Sequence, residues 1–159
     1  MALQVRRSTT IRRPIDEMWP FVADLDQELR WRSPYVLTLE KLDDGPVAVG
    51  TRIRGTTRIA GSTGTYVNEV TELAAPHRYA WRGVEVSGGI NASGFYELSS
   101  TPDGGTVVTI DITYRAERLA GRVQMSMLRF LAPRIIERFL GQLTDLASTP
   151  GVSRIQGRA

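Results

Sequence analysis

Three tyrosines and one asparagine are the side chains best suited to chemistry on a small organic molecule. Tyr66, Asn68, Tyr96 and Tyr114 all occur in stretches where polar and apolar residues alternate. A phenol or an amide can donate a hydrogen bond to a carbonyl oxygen and can stabilise a developing enolate. Each buried tyrosine hydroxyl also needs a partner. The four residues therefore predict a polar spot in an apolar cavity, although an ordinary core would accommodate the tyrosines equally well.

The sequence offers few other groups for catalysis. It contains no cysteine, and His77, its only histidine, follows Pro76 in a turn signal. A thiolate nucleophile, a conventional triad and a metal site built on cysteines or several histidines therefore have no candidate residues. The strand faces expected to point inward offer no evident histidine, aspartate or glutamate that could act as a base, and Arg7 is their one plausible cation. We expect neither a metal nor a cofactor.

Length and composition indicate one globular domain. The chain has 159 residues, of which 42% are hydrophobic and 23% charged, as in ordinary globular domains. The 20 basic residues, all arginine except Lys41, exceed 17 acidic ones, but the two signs are interleaved, which disfavours nucleic-acid binding. No apolar run approaches the length of a membrane span, and Arg6 and Arg7 stand where a signal peptide needs apolar residues. We expect a cytoplasmic protein without stable membrane insertion.

The largest predicted element is a helix over residues 119–148. Apolar residues recur there at helical spacing: Leu128, Leu131, Ala132, Ile135, Ile136, Phe139, Leu140, Leu143, Leu146 and Ala147. Pro133 interrupts this stripe, so we expect a kink or a restart of the helix there.

The rest of the chain predicts seven strands and two short helices. After a strand over residues 3–11, a helix begins at Pro14 and is ended or bent by Pro20, and Asp24 caps a second helix that Pro34 stops. Alternation between turn signals then predicts six strands, at roughly 35–42, 50–60, 64–74, 77–87, 90–99 and 105–116. Their short connections make neighbouring strands antiparallel.

The phases of these strands indicate which residues face the long helix. Arg52, Arg54 and Arg58 fall on the outer face of the sheet. Several inner positions are small, so a void should remain between helix and sheet, kept open by Gly83 and Gly94. The predicted cavity-lining and ligand-binding residues are Trp31, Tyr66, Asn68, Trp81, Gly83, Gly94, Tyr96, Tyr114, Met127, Leu131 and Ile135.

Several short motifs carry a resemblance to a known family. They are Ile11-Arg12-Arg13-Pro14 with Met18-Trp19 and Ala23-Asp24, Arg30-Trp31, Val49-Gly50-Thr51-Arg52, Val70-Thr71-Glu72-Leu73 leading to Pro76 and Arg78, Ala80-Trp81-Arg82, and Gly105-Thr106-Val107-Val108-Thr109. With the element order, they resemble the polyketide cyclase/dehydrase and lipid-transport branch of the START-like, or SRPBCC, superfamily. The resemblance spans about residues 3–148. It implies an α+β helix-grip fold: a seven-stranded antiparallel curved sheet around a long C-terminal helix, with two short helices after strand 1.

The resemblance also implies the domain organisation and the function. Residues 1–148 would form a single domain, and the remaining chain, 149–159, is expected to be a disordered tail. The ligand would be a small hydrophobic or amphipathic molecule, lipid-like or polyketide-like, held between sheet and helix. The alternative is a polyketide cyclase or dehydratase in the same cavity, with the tyrosine hydroxyls and Asn68 donating to an enolate. Because no inner side chain is evident as a base, we favour binding over catalysis. The sequence leaves open the identity of the ligand, whether a reaction is catalysed, and the oligomeric state.

Overall fold

A computed structural model describes residues 2–149 of the chain. In order, the elements are β1 (Ala2–Ile11), α1 (Ile15–Ala23), α2 (Leu25–Arg32), β2 (Val36–Lys41), β3 (Arg52–Ile59), β4 (Ser62–Ala74), β5 (Arg78–Val86), β6 (Ile90–Ser100), β7 (Thr106–Ala116) and α3 (Leu119–Ser148). The expected seven strands, two short helices and long C-terminal helix are confirmed. The tail expected over 149–159 lies outside the described residues, apart from Thr149.

The seven strands form one antiparallel sheet in the order β1-β7-β6-β5-β4-β3-β2. Strands β2 to β7 follow each other as neighbours, and β1 adds to the outer edge of β7. The pairing of β4 with β5 shifts register between Val67 and Asn68 and again between Val70 and Glu72. Irregularities of this kind bend a strand and increase its twist. They add curvature to the middle of the sheet.

The two short helices are set by their caps and prolines. Asp24 separates them, and its carboxylate accepts hydrogen bonds from the backbone N–H groups of Asp26 (2.9 Å) and Gln27 (3.1 Å). This is the N-cap expected from the sequence. Helix α1 accommodates Pro20 and ends one turn later, while α2 ends just before Ser33 and Pro34.

Helix α3 buries one face along its whole length. Its buried residues include Met125, Leu128, Ile136, Phe139 and Leu143, as the apolar stripe predicts. It continues through Pro133 as one 30-residue element, so the expected restart does not occur. Proline removes one backbone donor, and the packing of neighbouring residues such as Ala132 and Ile135 holds the helix across that gap.

The arginines of β3 point away from the helix, as their phase predicts. Arg52, Arg54 and Arg58 are exposed. Arg52 pairs with Asp43 at 3.2 Å and Arg54 with Glu40 at 3.9 Å. These are outer-face ion pairs, which contribute little to stability. Within residues 2–149, no helix is both long enough and apolar enough to cross a membrane.

Phe139 tests whether α3 is anchored as described. Its side chain is 4% exposed and its ring packs edge-on against Trp31 and Tyr35, with centroids 6.1 and 6.0 Å away. We expect Phe139→Ala to lower the free energy of unfolding by about 3–5 kcal/mol in denaturant titration. Phe130, on the same helix but 73% exposed, is the matched control: Phe130→Ala should change it by less than about 0.5 kcal/mol. Equal losses in the two variants would contradict this packing.

Candidate functional site

The concave face of the sheet and α3 enclose a cavity of about 460 Å³. Volumes of about 300–1,000 Å³ are typical of small-molecule sites. Its walls are mostly apolar and come from β3, β6, β7 and α3: Ile59, Ile90, Ala92, Ile112, Leu128, Leu131, Ile135 and Phe139. The cavity therefore offers a largely hydrophobic environment to a small molecule.

One end of this cavity opens to the surface. The turn between β3 and β4 and the turn between β5 and β6 both line it. Ala60 and Gly88 in these turns and Thr63 at the start of β4 are exposed. Across from them lies Met127 of α3, which lines the cavity yet is 57% exposed. We refer to this opening, bounded by the two turns and the first half of α3, as the mouth.

The cavity also has a polar wall. Arg32, Tyr66 and Asn68 line it, and the same three residues line a second, much smaller void of about 20 Å³. Glu28 and Tyr79 line only the smaller void, whose volume is about that needed for one water molecule. We call Arg32, Tyr66 and Asn68 the polar floor of the cavity.

A buried ion pair supports the polar floor. The Arg32 Nη1 atom donates to Glu28 Oε1 at 2.9 Å, and the Tyr96 hydroxyl donates to the same oxygen at 2.7 Å. The two charged residues stand one helical turn apart on α2, and Glu28 is only 5% exposed. The guanidinium also lies 5.4 Å from the centre of the Phe139 ring. These contacts fix the position of Arg32 at the cavity wall.

This pair corrects two expectations from the sequence. Arg7 is not an inner cation: its guanidinium pairs with Glu137 at 3.0 Å on the protein surface. The cation at the cavity is Arg32, and a carboxylate, Glu28, stands directly behind it. Both come from a short helix whose sequence, LDQELRWR, reads as a solvated surface segment because most of its residues are polar. The one available signal was that Glu28 lies three residues before the bulky Trp31 and so shares its side of the helix.

Two polar atoms at the floor have no hydrogen-bond partner among the described residues. They are Nε of Arg32 and the hydroxyl of Tyr66, which are both buried and lie near each other without a well-formed hydrogen bond between them. A buried donor left without a partner costs about 1–3 kcal/mol. Such a cost in a folded protein needs a reason, and an oxygen atom supplied from the cavity would remove it.

The phenols at the cavity keep their protons. Burial raises the pKa of Tyr66, although the neighbouring Arg32 guanidinium partly offsets the effect. Burial also raises the pKa of Tyr114 to about 12. Burial alone would lower the pKa of Arg32, but the nearby oxygens of Tyr96, Tyr66 and Glu28 reverse the direction. Near neutral pH the floor therefore presents a permanent cation and neutral O–H donors.

The structure brings seven of the eleven predicted site residues to the cavity. They are Tyr66, Asn68, Trp81, Tyr114, Met127, Leu131 and Ile135. Their contact with a ligand remains a prediction. Sequence reasoning missed Arg32, and also Thr57, Ala92, Leu128 and Phe139, which line the cavity beside them.

Trp31 and Tyr96 were predicted to line the cavity, but they belong to the packed core. The Trp31 indole N–H donates to the backbone oxygen of Phe21 at 2.8 Å, which joins α2 to α1. The ring of Tyr96 lies between those of Trp31, 5.3 Å away, and Trp81, 4.6 Å away. Its hydroxyl is committed to Glu28, so it is not free to meet a ligand.

Gly83 and Gly94 do not keep the cavity open. A Cβ atom at Gly94 would lie 2.4 Å from the backbone oxygen of Asp111 and 3.0 Å from the Trp81 ring. A Cβ at Gly83 would lie 2.9 Å from the backbone oxygen of Ala92. These glycines let neighbouring groups approach closely, so the space beside them is filled. Gly94→Leu would therefore disturb the sheet instead of filling the cavity.

Gly55 places a functional side chain at the polar floor. It pairs directly with Tyr66 across β3 and β4, and a Cβ at Gly55 would overlap the Tyr66 ring. The glycine thus lets the tyrosine ring lie flat across β3. His77, by contrast, is an exposed turn residue. Within residues 2–149, no three His, Asp or Glu side chains are grouped so that they could hold a metal ion.

The solved structures similar to this fold include an aromatase/cyclase. The Zhui aromatase/cyclase from Streptomyces sp. R1128 is 18% identical, with a TM-score of 0.78 over 92% of this chain and 94% of that one. A START superfamily protein from Mycobacterium smegmatis is 14% identical, with a TM-score of 0.73 over 91% and 96% of the two chains. A protein from Thermus thermophilus is 20% identical, with a TM-score of 0.75 over 92% and 100%. At these identities the likeness establishes the helix-grip fold alone.

Sequence comparison establishes the family. No curated protein matches the chain significantly. The sequence model described as polyketide cyclase/dehydrase and lipid transport, however, matches residues 2–148, nearly the whole described chain. This chain therefore belongs to the polyketide cyclase/dehydrase and lipid transport family, as its motifs suggested.

Proposed function

We propose that the protein binds a small, mostly apolar molecule between the sheet and α3, with one polar end of the molecule at the floor. The observation that carries this proposal is the cavity of about 460 Å³ whose apolar walls end at Arg32, Tyr66 and Asn68. Apolar walls supply affinity and a few converging polar groups fix orientation. The apolar end of the ligand would then point toward the mouth. We place this activity in the cytoplasm, the location expected from the sequence.

The charges at the floor define the chemistry of the polar end. Arg32 is already neutralised by Glu28 at 2.9 Å, so a ligand carboxylate would bring a second negative charge beside that pair. A neutral carbonyl or hydroxyl oxygen avoids this repulsion and can accept hydrogen bonds from the Tyr66 hydroxyl and the Asn68 amide. We therefore favour a ligand with a ketone, ester or hydroxyl group over a fatty acid.

A cyclase or dehydratase is the second candidate function. The buried Glu28–Arg32 pair favours it, because a cation beside phenol donors can stabilise an enolate. Glu28, however, lines the smaller void and its Oε1 already accepts two hydrogen bonds. As positioned, it is a support for Arg32 and not a base that reaches the main cavity. Binding without catalysis therefore remains the preferred proposal.

Filling part of the cavity should weaken binding. Ala92 lines it on β6, whereas Ala80 lies on the opposite phase of β5, beside the core residues Tyr79 and Trp81. A ligand that must overpack against an added ring loses about 1–3 kcal/mol, which is roughly fivefold to 150-fold in affinity. We expect this loss for Ala92→Phe and none for Ala80→Phe, measured by fluorescence titration with Prodan, a neutral naphthyl ketone. Unchanged affinity in Ala92→Phe, with native circular dichroism, would place the probe elsewhere.

The hydroxyl of Tyr66 should recognise the polar end of the ligand. Tyr66→Phe removes one hydrogen bond, worth about 0.5–1.5 kcal/mol, so Prodan affinity should fall about twofold to thirteenfold. The same fluorophore without its ketone should bind both proteins equally. Tyr96→Phe is the control, because that hydroxyl serves Glu28: it should lower stability by about 1–3 kcal/mol and leave Prodan affinity unchanged. A loss of Prodan affinity in Tyr96→Phe but not in Tyr66→Phe would contradict the assignment of Tyr66 to the polar floor.

The same variant separates carrier from enzyme. A linear polyketide mimic should bind without being converted, and Tyr66→Phe should affect its affinity alone. Conversion by the wild type that falls roughly a hundredfold in Tyr66→Phe, with binding intact, would instead favour the cyclase. Native mass spectrometry of protein purified from its own host would then identify the bound molecule.

A further inference from the structure

A stripe of apolar side chains runs along the outside of the first half of α3. Leu119, Val123, Met127 and Phe130 are 76, 71, 57 and 73% exposed. At about 100° per residue, they fall within an arc of about 80° on the helix surface. These four are half of the eight large apolar residues that are exposed in the described part of the chain. A concentration of this kind marks an interaction surface; we call it the outer stripe.

Arginines border the outer stripe on one side. Between Glu117 and Glu137 the sequence contains four arginines and no acidic residue. Helical spacing puts Arg122 and Arg129 together along the edge that faces away from the cavity, and Arg118 directly precedes the helix as its N-cap. All three are exposed, and within residues 2–149 none of them forms an ion pair. This edge is a band of uncompensated positive charge.

The cavity mouth borders the stripe on the other side. Met127 belongs to both, because it is exposed on the stripe and lines the cavity. Its neighbours Gln124 and Leu131 line the cavity as well. Across the mouth, Val86 is 38% exposed and also part of the lining. The apolar surface is therefore continuous from the outside of α3 into the cavity.

We propose that this face of α3 docks on an anionic phospholipid bilayer. The four apolar side chains would enter the boundary between headgroups and acyl chains, and the arginines would lie against the anionic headgroups. Helices that lie in a membrane interface combine an apolar face with a basic edge in this way. The proposal of docking depends only on the outer stripe and the arginines beside it. The purpose we assign to it, exchange of an apolar ligand between bilayer and cavity, rests on the proposed function.

Other occupants of this surface fit the observations less well. A second copy of the chain would bring the same arginine-bordered stripe and no carboxylate from this segment, so the charges would stay unmatched. An acidic protein could match them, but a solid partner seated on Met127 would cover the mouth. The anionic headgroups of a fluid bilayer would compensate the charge of the arginines. Its acyl chains would leave an apolar route to the cavity. The charge and the position of the mouth together favour the membrane.

Vesicle co-sedimentation tests the docking directly. The probes are vesicles of phosphatidylcholine with and without phosphatidylglycerol, and no cavity ligand is added. We expect the wild type to bind the anionic vesicles and to leave the neutral ones largely unbound. Binding should weaken between about 0.1 and 1 M salt, because the Debye length falls from about 10 to 3 Å. Equal binding to the two vesicle types, or none to anionic vesicles at low salt, would overturn the proposal.

Matched variants locate the surface. Val123→Ser should weaken vesicle binding, whereas Val49→Ser should not, although Val49 is comparably exposed at 64%. Phe130→Ser should weaken binding by about tenfold or more. Each of Arg122→Gln and Arg129→Gln should weaken it by roughly fivefold, and Arg12→Gln, an exposed arginine at the far end of β1, should have little effect. Equal effects in the stripe variants and the controls would sink the assignment.

An attached fluorophore distinguishes the possible occupants. The chain has no cysteine, so Val123→Cys and Val49→Cys can each carry a single NBD group. Its emission should rise and shift to the blue on anionic vesicles at position 123 and stay constant at 49. A dimer that forms in solution and is lost in Phe130→Ser would show that a second copy covers the stripe, and would overturn the proposal.

The two proposals can fail separately. Prodan binding in solution reports the cavity and requires no vesicle, while co-sedimentation of the ligand-free protein reports the outer stripe. Loss of vesicle binding in Phe130→Ser with unchanged Prodan affinity supports the membrane proposal. Vesicle binding by a protein that takes up no probe would refute the proposed cavity function and leave the docking surface standing. Probe uptake without vesicle binding would refute the docking alone.

Discussion

The buried ion pair between Glu28 and Arg32 is the interaction on which the arrangement of the site depends. Charges taken out of water are tolerated only when they are paired and hydrogen-bonded, and here the Tyr96 hydroxyl completes the pair at 2.7 Å. This requirement ties α2 to the middle of the sheet. Two further contacts hold α2 in place. The Trp31 indole N–H donates to the backbone oxygen of Phe21 in α1. The side-chain amide of Gln142 in α3 donates to the backbone oxygens of Trp31 and Ser33. Removing one charge would leave its partner uncompensated, at a cost of about 3–5 kcal/mol.

The elements of the fold follow from local patterns that the sequence displays openly. Alternation, turn residues and one long helical stripe predicted every strand and helix, with errors of one or two residues at most ends. The start of β3 is an example of such an error. The strand begins at Arg52 instead of residue 50, because the backbone N–H groups of Gly50 and Thr51 donate to Val70 and Ala48 in a loop. Packing also carried α3 through Pro133 without the expected restart. Such differences arise where tertiary contacts outweigh local preference.

The site was less visible in the sequence, for two physical reasons. A glycine on an inner strand face can mean empty space or a place where another atom sits, and sequence does not distinguish them. Gly94 and Gly83 are crowded by backbone, and Gly55 lies under the Tyr66 ring. Second, a Glu and an Arg four residues apart on a polar helix resemble an ordinary surface pair. Only the docking of α2 against both the sheet and α3 buries Glu28 and Arg32. Residues whose position depends on strand phase alone, such as Asn68 and Tyr114, line the cavity, and their contact with a ligand stays a prediction.

The two halves of α3 perform different tasks, and this division makes an open cavity compatible with a stable fold. In the second half, Ile136, Phe139, Leu140 and Leu143 are buried in the core and anchor the helix. In the first half, only Gly121, Met125, Leu128 and Ala132 are buried, and two of these are small. The helix begins after its N-cap, Arg118, without a side-chain cap or an acidic first turn. Weakly packed segments open at the lowest free energy. The part of α3 that borders the mouth is therefore the part that can move at least cost, while the polar floor stays fixed to the anchored half through Arg32 and Phe139.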